Sequence, residues 1–401
     1  MWELPFVING DIPHFADALF EMISGFTTTG ATVVSDVEGL TKGSLFWRSF
    51  SHWIGGMGVL VFLLAIVPMA GGSHMNLMKA ESPGPSVGKL VPKVRQTAKY
   101  LYIIYFALTM IEVIFLLFGG MNLFEALTTS FGTAGTGGFA IWNDGFVSVS
   151  PYNQWVVTIF MLLFGVNFGF YFLILTGKLR DALKFEEVRI YFIIVIAAAV
   201  FIFINLRHFA LYAPAEGIRQ AFFQVASIIT TTGFASADFN LWPETSRTIL
   251  VLLMFIGACA GSTGGGIKVS RFIIACKSFI KEIISYLHPR SVKKIKIEGK
   301  PLEHETLRAT NVYFMTYMVI FAVSVLLVSI ENKDLVTNFA AVAATFNNIG
   351  PGLSLVGPMA NFGHFTDFTK YILMFDMLAG RLEIFPMMLL FCPAVWKRRR
   401  A

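Results

Sequence analysis

The sequence predicts an all-α polytopic membrane protein, and three observations lead to that fold class. Of its 401 residues, 55% are hydrophobic and only 14% are charged, whereas soluble domains carry roughly a quarter of charged residues. Apolar runs long enough to cross a bilayer recur along the chain. The connections between them alternate between strongly basic and weakly charged. No alternation of apolar and polar residues typical of strands competes with these runs.

The candidate membrane spans are the long apolar runs. A helix needs about 20 apolar residues to cross the hydrocarbon core. The runs that meet this requirement are Phe46–Met69, Leu101–Phe118, Trp155–Leu175, Val188–Ile204, Ile249–Leu287, Tyr313–Ile330 and Tyr371–Trp396. The opening residues 1–15 are too short and too polar to cross.

Positive charge predicts the orientation of the bundle. Of the 31 Lys and Arg residues, 23 lie on alternate connections. These connections are 70–100, 177–190, 268–310 and the tail Lys397–Arg400. Basic connections remain in the cytoplasm, so we expect the C-terminus there too. Because the basic residues follow the connections, the pI near 9.1 indicates membrane orientation rather than nucleic-acid binding.

An internal repeat places short half-helices in the weakly charged connections. Four related strings recur, FTTTGAT, GTGGFA, TTTGFA and NNIGPG, each after a semi-apolar stretch too short to span. The unit is a helix, a re-entrant half-helix, a glycine-containing loop and a second helix, and the first unit lacks its leading helix. The predicted units are 1–70, 97–177, 188–290 and 307–396, joined by the basic connections.

Loops of this kind are suited to form an ion filter. Irregular backbone at membrane depth is tolerated only where it is buried or lines an aqueous path. Rings of backbone carbonyls replace the hydration shell of a cation, and the strings lack the carboxylates typical of Ca²⁺ sites. We therefore predict a filter for a monovalent cation. Its candidate residues are Thr28, Thr29, Gly30, Thr136, Gly137, Gly138, Thr231, Thr232, Gly233, Asn348, Ile349 and Gly350.

A glycine-rich string, GACAGSTGGGIK, interrupts the run Ile249–Leu287. Each Gly costs a helix about 1 kcal/mol, so residues 257–266 are predicted to be non-helical and to line a cavity. The string follows the third filter loop, which indicates a gate. The candidate gate residues are Gly261, Ser262, Thr263, Gly264, Gly265, Gly266 and Lys268. A phosphate-binding loop is disfavoured because Gly does not directly precede the Lys and no Ser or Thr follows it.

Arg381 lies in the middle of the last predicted span. A charge at that depth is costly and faces an aqueous path or an internal partner. Two interpretations stay open. Either Arg381 faces the pore and slows cations, or it forms an internal salt bridge with Glu383 or Asp376.

The strings ALFEMISGFTTTGAT, SHWIGGMGVLVF, GACAGSTGGGIKVSR and MLAGRLEIFP resemble the TrkH/TrkG branch of the Trk/Ktr/HKT potassium-transporter superfamily. The resemblance extends from about Ala16 to Trp396. It implies four pore-loop repeats around one central pore, an intramembrane gating loop, and filter glycines at Gly30, Gly138, Gly233 and Gly350. It places the Gly-Arg pair ending in Arg381 beside the pore, under the filter. It also implies that family members carry further helices ahead of the point where this sequence begins.

The same resemblance implies the partners and the location. We expect a homodimer in the bacterial inner (cytoplasmic) membrane, with TrkA-type cytoplasmic subunits that bind nucleotide and regulate the pore. K⁺ is the expected ion, and a nucleotide acts only through the regulatory subunit. The second and fourth strings, GTGG and NNIG, depart from TTTG, so we expect weaker discrimination between K⁺ and similar ions.

The predicted function is therefore potassium uptake through a gated filter. The alternative within the same fold is a symporter that couples K⁺ to H⁺ or Na⁺. An intramembrane enzyme is disfavoured, because the spans carry no Ser/His or Asp/Asp pair at nucleophile spacing and no HExxH string.

Overall fold

The computed structural model describes residues 3–58, 94–288, 294–382, 384–389 and 391, and within them the chain is helical, as predicted. One antiparallel hairpin pairs Lys296–Ile297 with Lys300–Pro301. The α-helices are Leu4–Ile8, Phe15–Phe26, Lys42–Gly56, Val94–Phe118, Leu123–Gly135, Pro151–Phe164, Phe168–Leu175, Leu179–Ala182, Glu186–His208, Pro214–Ile229, Glu244–Ile256, Val269–Leu287, His304–Val328, Leu335–Phe346, Asp367–Arg381 and Ile384–Leu389.

Within the described residues, three helical segments are long and apolar enough to cross a membrane unbroken, namely Ala98–Phe118, Glu186–His208 and His304–Glu331. Each contains one of the predicted spans, so these three predictions are confirmed. Their lipid-facing sides carry large exposed apolar residues such as Ile193 and Met315. Such exposure fits a protein whose outer surface lies in hydrocarbon.

The first predicted span is described only in part. Its helix begins at Lys42 rather than Phe46, because the Thr41 hydroxyl caps it by accepting a hydrogen bond from the Ser44 N–H at 3.3 Å. The rest of that span, most of the connection 70–100 and the tail Lys397–Arg400 lie outside the described residues.

Two predicted spans are broken, so the prediction of single helices there is wrong. Between Trp155 and Leu175 the helix ends at Phe164 and a second begins at Phe168, bent by 89°. The bend lets the Gly165 carbonyl accept from the Cys259 N–H at 3.1 Å instead of continuing the helix. The last span breaks after Arg381, where Leu382 is extended, and helix resumes at Ile384.

Four short helices precede the four strings, and we call them half-helices one to four, Phe15–Phe26, Leu123–Gly135, Pro214–Ile229 and Leu335–Phe346. They are 12 to 16 residues long, too short to span. Local sequence starts three of them: a capping box joins Asn122 and Glu125, Pro214 occupies the first turn, and Asp334 accepts from the Thr337 N–H.

Each half-helix packs between longer helices in a buried apolar core. In the fourth repeat, the Tyr317 ring on the long helix stacks on Phe346 of half-helix four, with ring centroids 4.6 Å apart. In the third repeat, Phe223 of half-helix three lies against Phe146, with ring centroids 5.7 Å apart. This packing holds the carboxyl ends of the half-helices, and therefore the four strings, inside the bundle.

Candidate ion filter and glycine loop

The four strings share one backbone geometry although their sequences differ. We number them one to four: Thr27–Gly30, Gly135–Gly138, Thr230–Gly233 and Asn347–Gly350. The second residue of each is left-handed, with φ of 53°, 53°, 59° and 55° at Thr28, Thr136, Thr231 and Asn348. The fourth residue is a glycine with φ of 78°, 78°, 84° and 91° at Gly30, Gly138, Gly233 and Gly350. A side chain is disfavoured at such φ values, which explains the glycine.

The glycines pack in a closed ring. A Cβ atom at Gly30 would overlap the carbonyl oxygen of Gly137, and one at Gly138 that of Thr232. A Cβ at Gly233 would overlap the carbonyl oxygen of Ile349. Each glycine therefore abuts the residue just before the glycine of the next repeat.

The fourth string closes this ring on the first. A Cβ at Gly350 would lie 2.7 Å from the carbonyl oxygen of Thr29. The order of contact is thus one, two, three, four and back to one. Four backbone segments surround one axis, and an added side chain at any of the four glycines would collide with a neighbouring carbonyl.

The side chains are alike in strings one and three and differ in strings two and four. In string one the Thr27 and Thr29 hydroxyls lie 2.8 Å apart, and in string three the Thr230 and Thr232 hydroxyls do the same. Strings two and four carry Gly137 and Ile349 at the third position and so lack this hydroxyl.

String four compensates with an amide. The Asn348 Nδ2 group donates to the Thr29 hydroxyl and to the Met377 carbonyl, both at 2.9 Å. This pair of bonds ties string four to string one and to the helix Asp367–Arg381.

His52 supports string two from behind. Its Nδ1 lies 2.8 Å from the Gly25 carbonyl, and its Nε2 accepts from the Phe139 N–H at 3.3 Å. Both imidazole nitrogens are therefore used within the protein. The His52 imidazole fills the space where a Cβ of Gly137 would stand.

A cavity of about 120 Å³ lies beyond the glycines, on the side toward which the strings continue. It is lined by all four ring glycines and by the residues that follow them, among them Thr32, Ala140, Ala235 and Pro351. The ring therefore opens into a space large enough for a few water molecules or ions.

The glycine loop lies on the opposite side of the ring. The preceding helix ends at Ile256 and the next begins at Val269. The Gly265 N–H donates to the Thr231 hydroxyl at 2.6 Å. A Cβ at Gly264 would lie 2.8 Å from the Thr230 carbonyl oxygen. The loop thus contacts the residues that precede the ring glycine in string three.

The backbone of this loop is unusual and is held by buried groups. Gly257, Gly261 and Gly266 have φ of 72°, 69° and 74°, and Lys268 has φ of 83°. The buried Lys268 ammonium donates to the Gly264 carbonyl, so its side chain folds back over the loop. The Lys268 side chain therefore does not extend toward water.

Glu187 fastens both ends of the loop from the start of the long helix Glu186–His208. Its Oε1 accepts from the Ala260 N–H at 2.7 Å and from the Ser270 N–H at 3.0 Å. In addition, the Thr263 hydroxyl donates to the Phe164 carbonyl, which the broken helix exposes, at 3.2 Å. The loop is therefore ordered by specific acceptors although it is not helical.

Arg381 joins the loop to the first repeat. Its Nη1 donates to the Thr263 carbonyl at 2.7 Å, and its Nη2 donates to the carbonyls of Gly55 at 2.6 Å and Gly56 at 3.0 Å. Asp376 accepts instead from the Ser324 hydroxyl at 2.6 Å, and Glu383 lies outside the described residues. The Arg381 guanidinium therefore stands beside the loop, at the end of its helix and not within it.

Comparison with known proteins identifies the family. The family model TrkH, described as a cation transport protein, matches residues 3–398. The chain belongs to the TrkH family. It is 38% identical to the Trk system potassium uptake protein TrkH of Escherichia coli over 98% of this chain and 82% of that protein. It is 33% identical to TrkG of the same organism, covering 96% of this chain and 79% of the relative.

A solved structure is similar over the same extent. The crystal structure of the potassium transporter TrkH from Vibrio parahaemolyticus matches with a TM-score of 0.87 and 34% identity, covering 98% of this chain and 82% of that one. The family resemblance and the helical membrane fold predicted from the sequence are therefore confirmed. The relatives are transporters, so the chain belongs to a non-enzyme class, as expected.

The sequence analysis missed one buried ion pair of this TrkH-family protein. Glu21, in half-helix one, and Arg48, in the following helix, are 0% and 2% exposed. The available signal was the presence of two opposite charges within otherwise apolar helices, which at membrane depth indicates an internal partner.

Proposed function

We propose that this TrkH-family protein takes up K⁺ across the bacterial cytoplasmic membrane, with the four strings as its selectivity filter. The observation that carries the proposal is the closed ring of contacts between each ring glycine and the carbonyl of the next repeat. A ring of this kind supplies oxygens from four sides of one axis. Such oxygens take the place of the water around a monovalent cation.

The chemistry of the ring supports K⁺ over a divalent ion. The twelve candidate residues offer carbonyl, hydroxyl and amide oxygens but no carboxylate, and Ca²⁺ sites generally recruit carboxylates. The names of the relatives in Escherichia coli, which are potassium uptake proteins, support the same ion.

The glycine loop is proposed as the gate, in its closed position. Its Gly265 N–H occupies the Thr231 hydroxyl, an oxygen that an ion leaving the filter would otherwise approach. Arg381 holds the loop there through the Thr263 carbonyl and adds a positive charge beside the path. Both contacts would have to break for ions to pass.

Regulation is proposed to reach the loop through the helix that follows it. On that helix Lys277 pairs with Glu186 at 2.5 Å and donates to the Lys296 carbonyl of the small hairpin at 2.8 Å. Glu186 adjoins Glu187, which fastens the loop. TrkA-type subunits, assembled on a homodimer, would act on this basic face, which we orient toward the cytoplasm together with the C-terminus.

The proposal is tested by flux of K⁺ and Na⁺ into proteoliposomes that contain the full chain. Gly233→Ser places a side chain against the Ile349 carbonyl and should lower the preference for K⁺. Gly120→Ser is the matched control, because Gly120 has φ of 85° but no atom within 4 Å of an added Cβ.

The outcomes are distinct. A K⁺ preference that falls in Gly233→Ser and persists in Gly120→Ser supports the carbonyl ring. An unchanged permeability ratio in Gly233→Ser protein that inserts would contradict it. A reversal potential that follows the K⁺ gradient alone supports a pore, whereas dependence on Na⁺ or pH would indicate coupled symport.

A further inference from the structure

The Glu21–Arg48 ion pair is buried but contributes to neither the ring nor the glycine loop. The Arg48 Nε donates to Glu21 Oε1 at 2.7 Å. Opposite charges withdrawn from water in this way are costly to bury, and well-packed apolar residues in their place are often equally stable or more so. The role of the pair is therefore to be found in the groups that it contacts rather than in a gain of stability.

Glu21 holds the extended segment that follows string one. Its Oε1 accepts from the Thr32 hydroxyl at 2.9 Å, and its Oε2 accepts from the Val33 N–H at 3.1 Å. Thr32 and Val33 come two and three residues after Gly30. The carboxylate thus grips the first residues beyond the ring glycine.

Arg48 extends this grip to the second repeat. Its Nη1 donates to the Ala140 carbonyl at 3.4 Å, and its guanidinium carbon lies 4.1 Å from the centroid of the Phe139 ring. Phe139 and Ala140 come one and two residues after Gly138. One ion pair therefore fixes the two segments that follow strings one and two. Both segments line the cavity beyond the ring.

The third repeat contains an uncharged counterpart. Gln224 stands nine residues before Gly233, as Glu21 stands nine before Gly30. With the amide oriented to satisfy both partners, the Gln224 oxygen accepts from the N–H groups of Ser236 at 2.9 Å and Ala237 at 3.2 Å. Ser236 follows its glycine by three residues, as Val33 does, so the same acceptor position recurs.

The remaining two repeats do not have this acceptor. Thr129 and Ala341 occupy the position nine residues before Gly138 and Gly350, and neither side chain is long enough to reach the segment that follows its string. In these two of the four repeats no side chain at this position reaches back, and string two is supported instead by His52 and by the Arg48 end of the charged pair.

We propose that Glu21 and Arg48 are positioning residues that fix the outer end of the filter at repeats one and two, so that discrimination between K⁺ and Na⁺ depends on them. The proposal rests on the filter proposed above. Hydrogen bonds to charged groups are shorter and stronger than neutral ones. A charged clamp thus limits the movement of carbonyls whose spacing separates a larger cation from a smaller one.

The test compares ion selectivity with folding in the full chain. Arg48→Lys keeps the charge but loses the fork that reaches Ala140 and Phe139. The double variant Glu21→Gln with Arg48→Met removes both charges and leaves no unpaired one. Thr32→Val keeps the ion pair and removes the hydroxyl, which donates to Glu21 and accepts from the Arg48 Nη2 group at 3.3 Å and from the Val34 N–H at 3.1 Å. Asp181→Asn, which breaks an exposed pair with Lys184, is the control.

We expect the K⁺/Na⁺ uptake ratio to fall about tenfold in the double variant and in Arg48→Lys, which corresponds to about 1.4 kcal/mol. The loss of the hydrogen bonds of the Thr32 hydroxyl in Thr32→Val should lower the ratio about threefold. Melting temperature and the amount of inserted protein should stay near the wild-type values in Thr32→Val and in Asp181→Asn, and the ratio should be unchanged in Asp181→Asn.

If the wild-type protein favours K⁺, an unchanged K⁺/Na⁺ ratio in the folded double variant, Arg48→Lys or Thr32→Val would overturn the positioning role. If the larger changes prevent folding, Thr32→Val alone decides, since it is isosteric and retains both charges. A wild-type protein that does not favour K⁺ would instead refute the proposed function, which keeps the two failures distinct.

Discussion

Arg381→Ala should release the glycine loop and raise K⁺ flux in the absence of a regulatory subunit. The substitution removes the 2.7 Å hydrogen bond to the Thr263 carbonyl, and this bond links the helix Asp367–Arg381 to the loop. A hydrogen bond to a charged group contributes about 1.5–3 kcal/mol. A loss of about 2 kcal/mol from the closed state raises the open population about 30-fold while that population is small.

A second effect of the same residue is electrostatic. At an effective dielectric of about 20, two unit charges about 6 Å apart repel by about 3 kcal/mol. Arg381→Ala relieves this repulsion as well. The alanine variant alone therefore does not separate two roles of Arg381: a latch, which holds the loop closed through the Thr263 carbonyl, and a brake, which repels cations by its charge. Arg381→Lys does, because it keeps the charge but cannot donate to Thr263, Gly55 and Gly56 in the same planar arrangement.

The assay is initial K⁺ uptake per folded protein in proteoliposomes, with the melting temperature measured in parallel. If the latch dominates, Arg381→Lys is nearly as fast as Arg381→Ala. If the brake dominates, Arg381→Lys is as slow as wild type. An unchanged or slower uptake in Arg381→Ala, accompanied by a lower melting temperature, would refute both and leave Arg381 with a structural role only.

Three further predictions concern the loop and half-helix four. Deletion of residues 261–266 should raise K⁺ flux and leave the K⁺/Na⁺ ratio unchanged. A folded deletion variant that stays closed would contradict the proposal that the glycine loop is the gate. Thr231→Val leaves the Gly265 N–H without its acceptor, which costs the closed state about 1–3 kcal/mol. Uptake should therefore rise, whereas Thr248→Val, which removes an exposed hydroxyl that donates to the Glu244 carbonyl within its own helix, should not change it. Asp334→Ala should lower stability by about 1 kcal/mol by removing a helix cap, and Asp334→Asn should retain most of it. Hydrogen bonds from Thr337 lower the pKa of Asp334, so the cap contributes above a pH of about 4 and is lost as pH falls further through the folded value; thermal melts across pH check this.

The half-helices and strings were predictable because their signals are local. Short semi-apolar stretches followed by Gly interrupt a pattern of long apolar runs, and the interruption recurs. The ring itself was not predictable in this way. The contact between Gly350 and Thr29 joins residues at opposite ends of the chain, and no periodicity in the sequence specifies which repeats become neighbours.

The broken helices show the same limit. The segment around Gly165 contains no Pro and a single polar residue, Asn167, so hydropathy gives one span, although Asn167 starts the second helix by accepting from the Gly169 N–H at 2.8 Å. The break depends on a distant donor, the Cys259 N–H, which binds the Gly165 carbonyl. At Arg381 the sequence identified the costly charge but not its solution, which is to end the helix and satisfy the guanidinium with carbonyls.

The Glu21–Arg48 pair escaped notice for a further reason. The two residues lie 27 positions apart on different helices, beyond the reach of helical spacing. Comparison of the repeats at the position nine residues before each glycine would have singled out Glu21 and Gln224. It would not have named Arg48 as the partner.

The ring of glycines is built by one chain, and that has a consequence for how its ion preference changes by mutation. In an assembly of four identical chains, one codon alters all four walls together, and a cost of x becomes about four times x if the walls act independently. Here a substitution at Gly138 leaves Gly30, Gly233 and Gly350 as they were. The walls can therefore diverge one at a time, as they have at the third position, where Gly137 and Ile349 stand in place of a Thr.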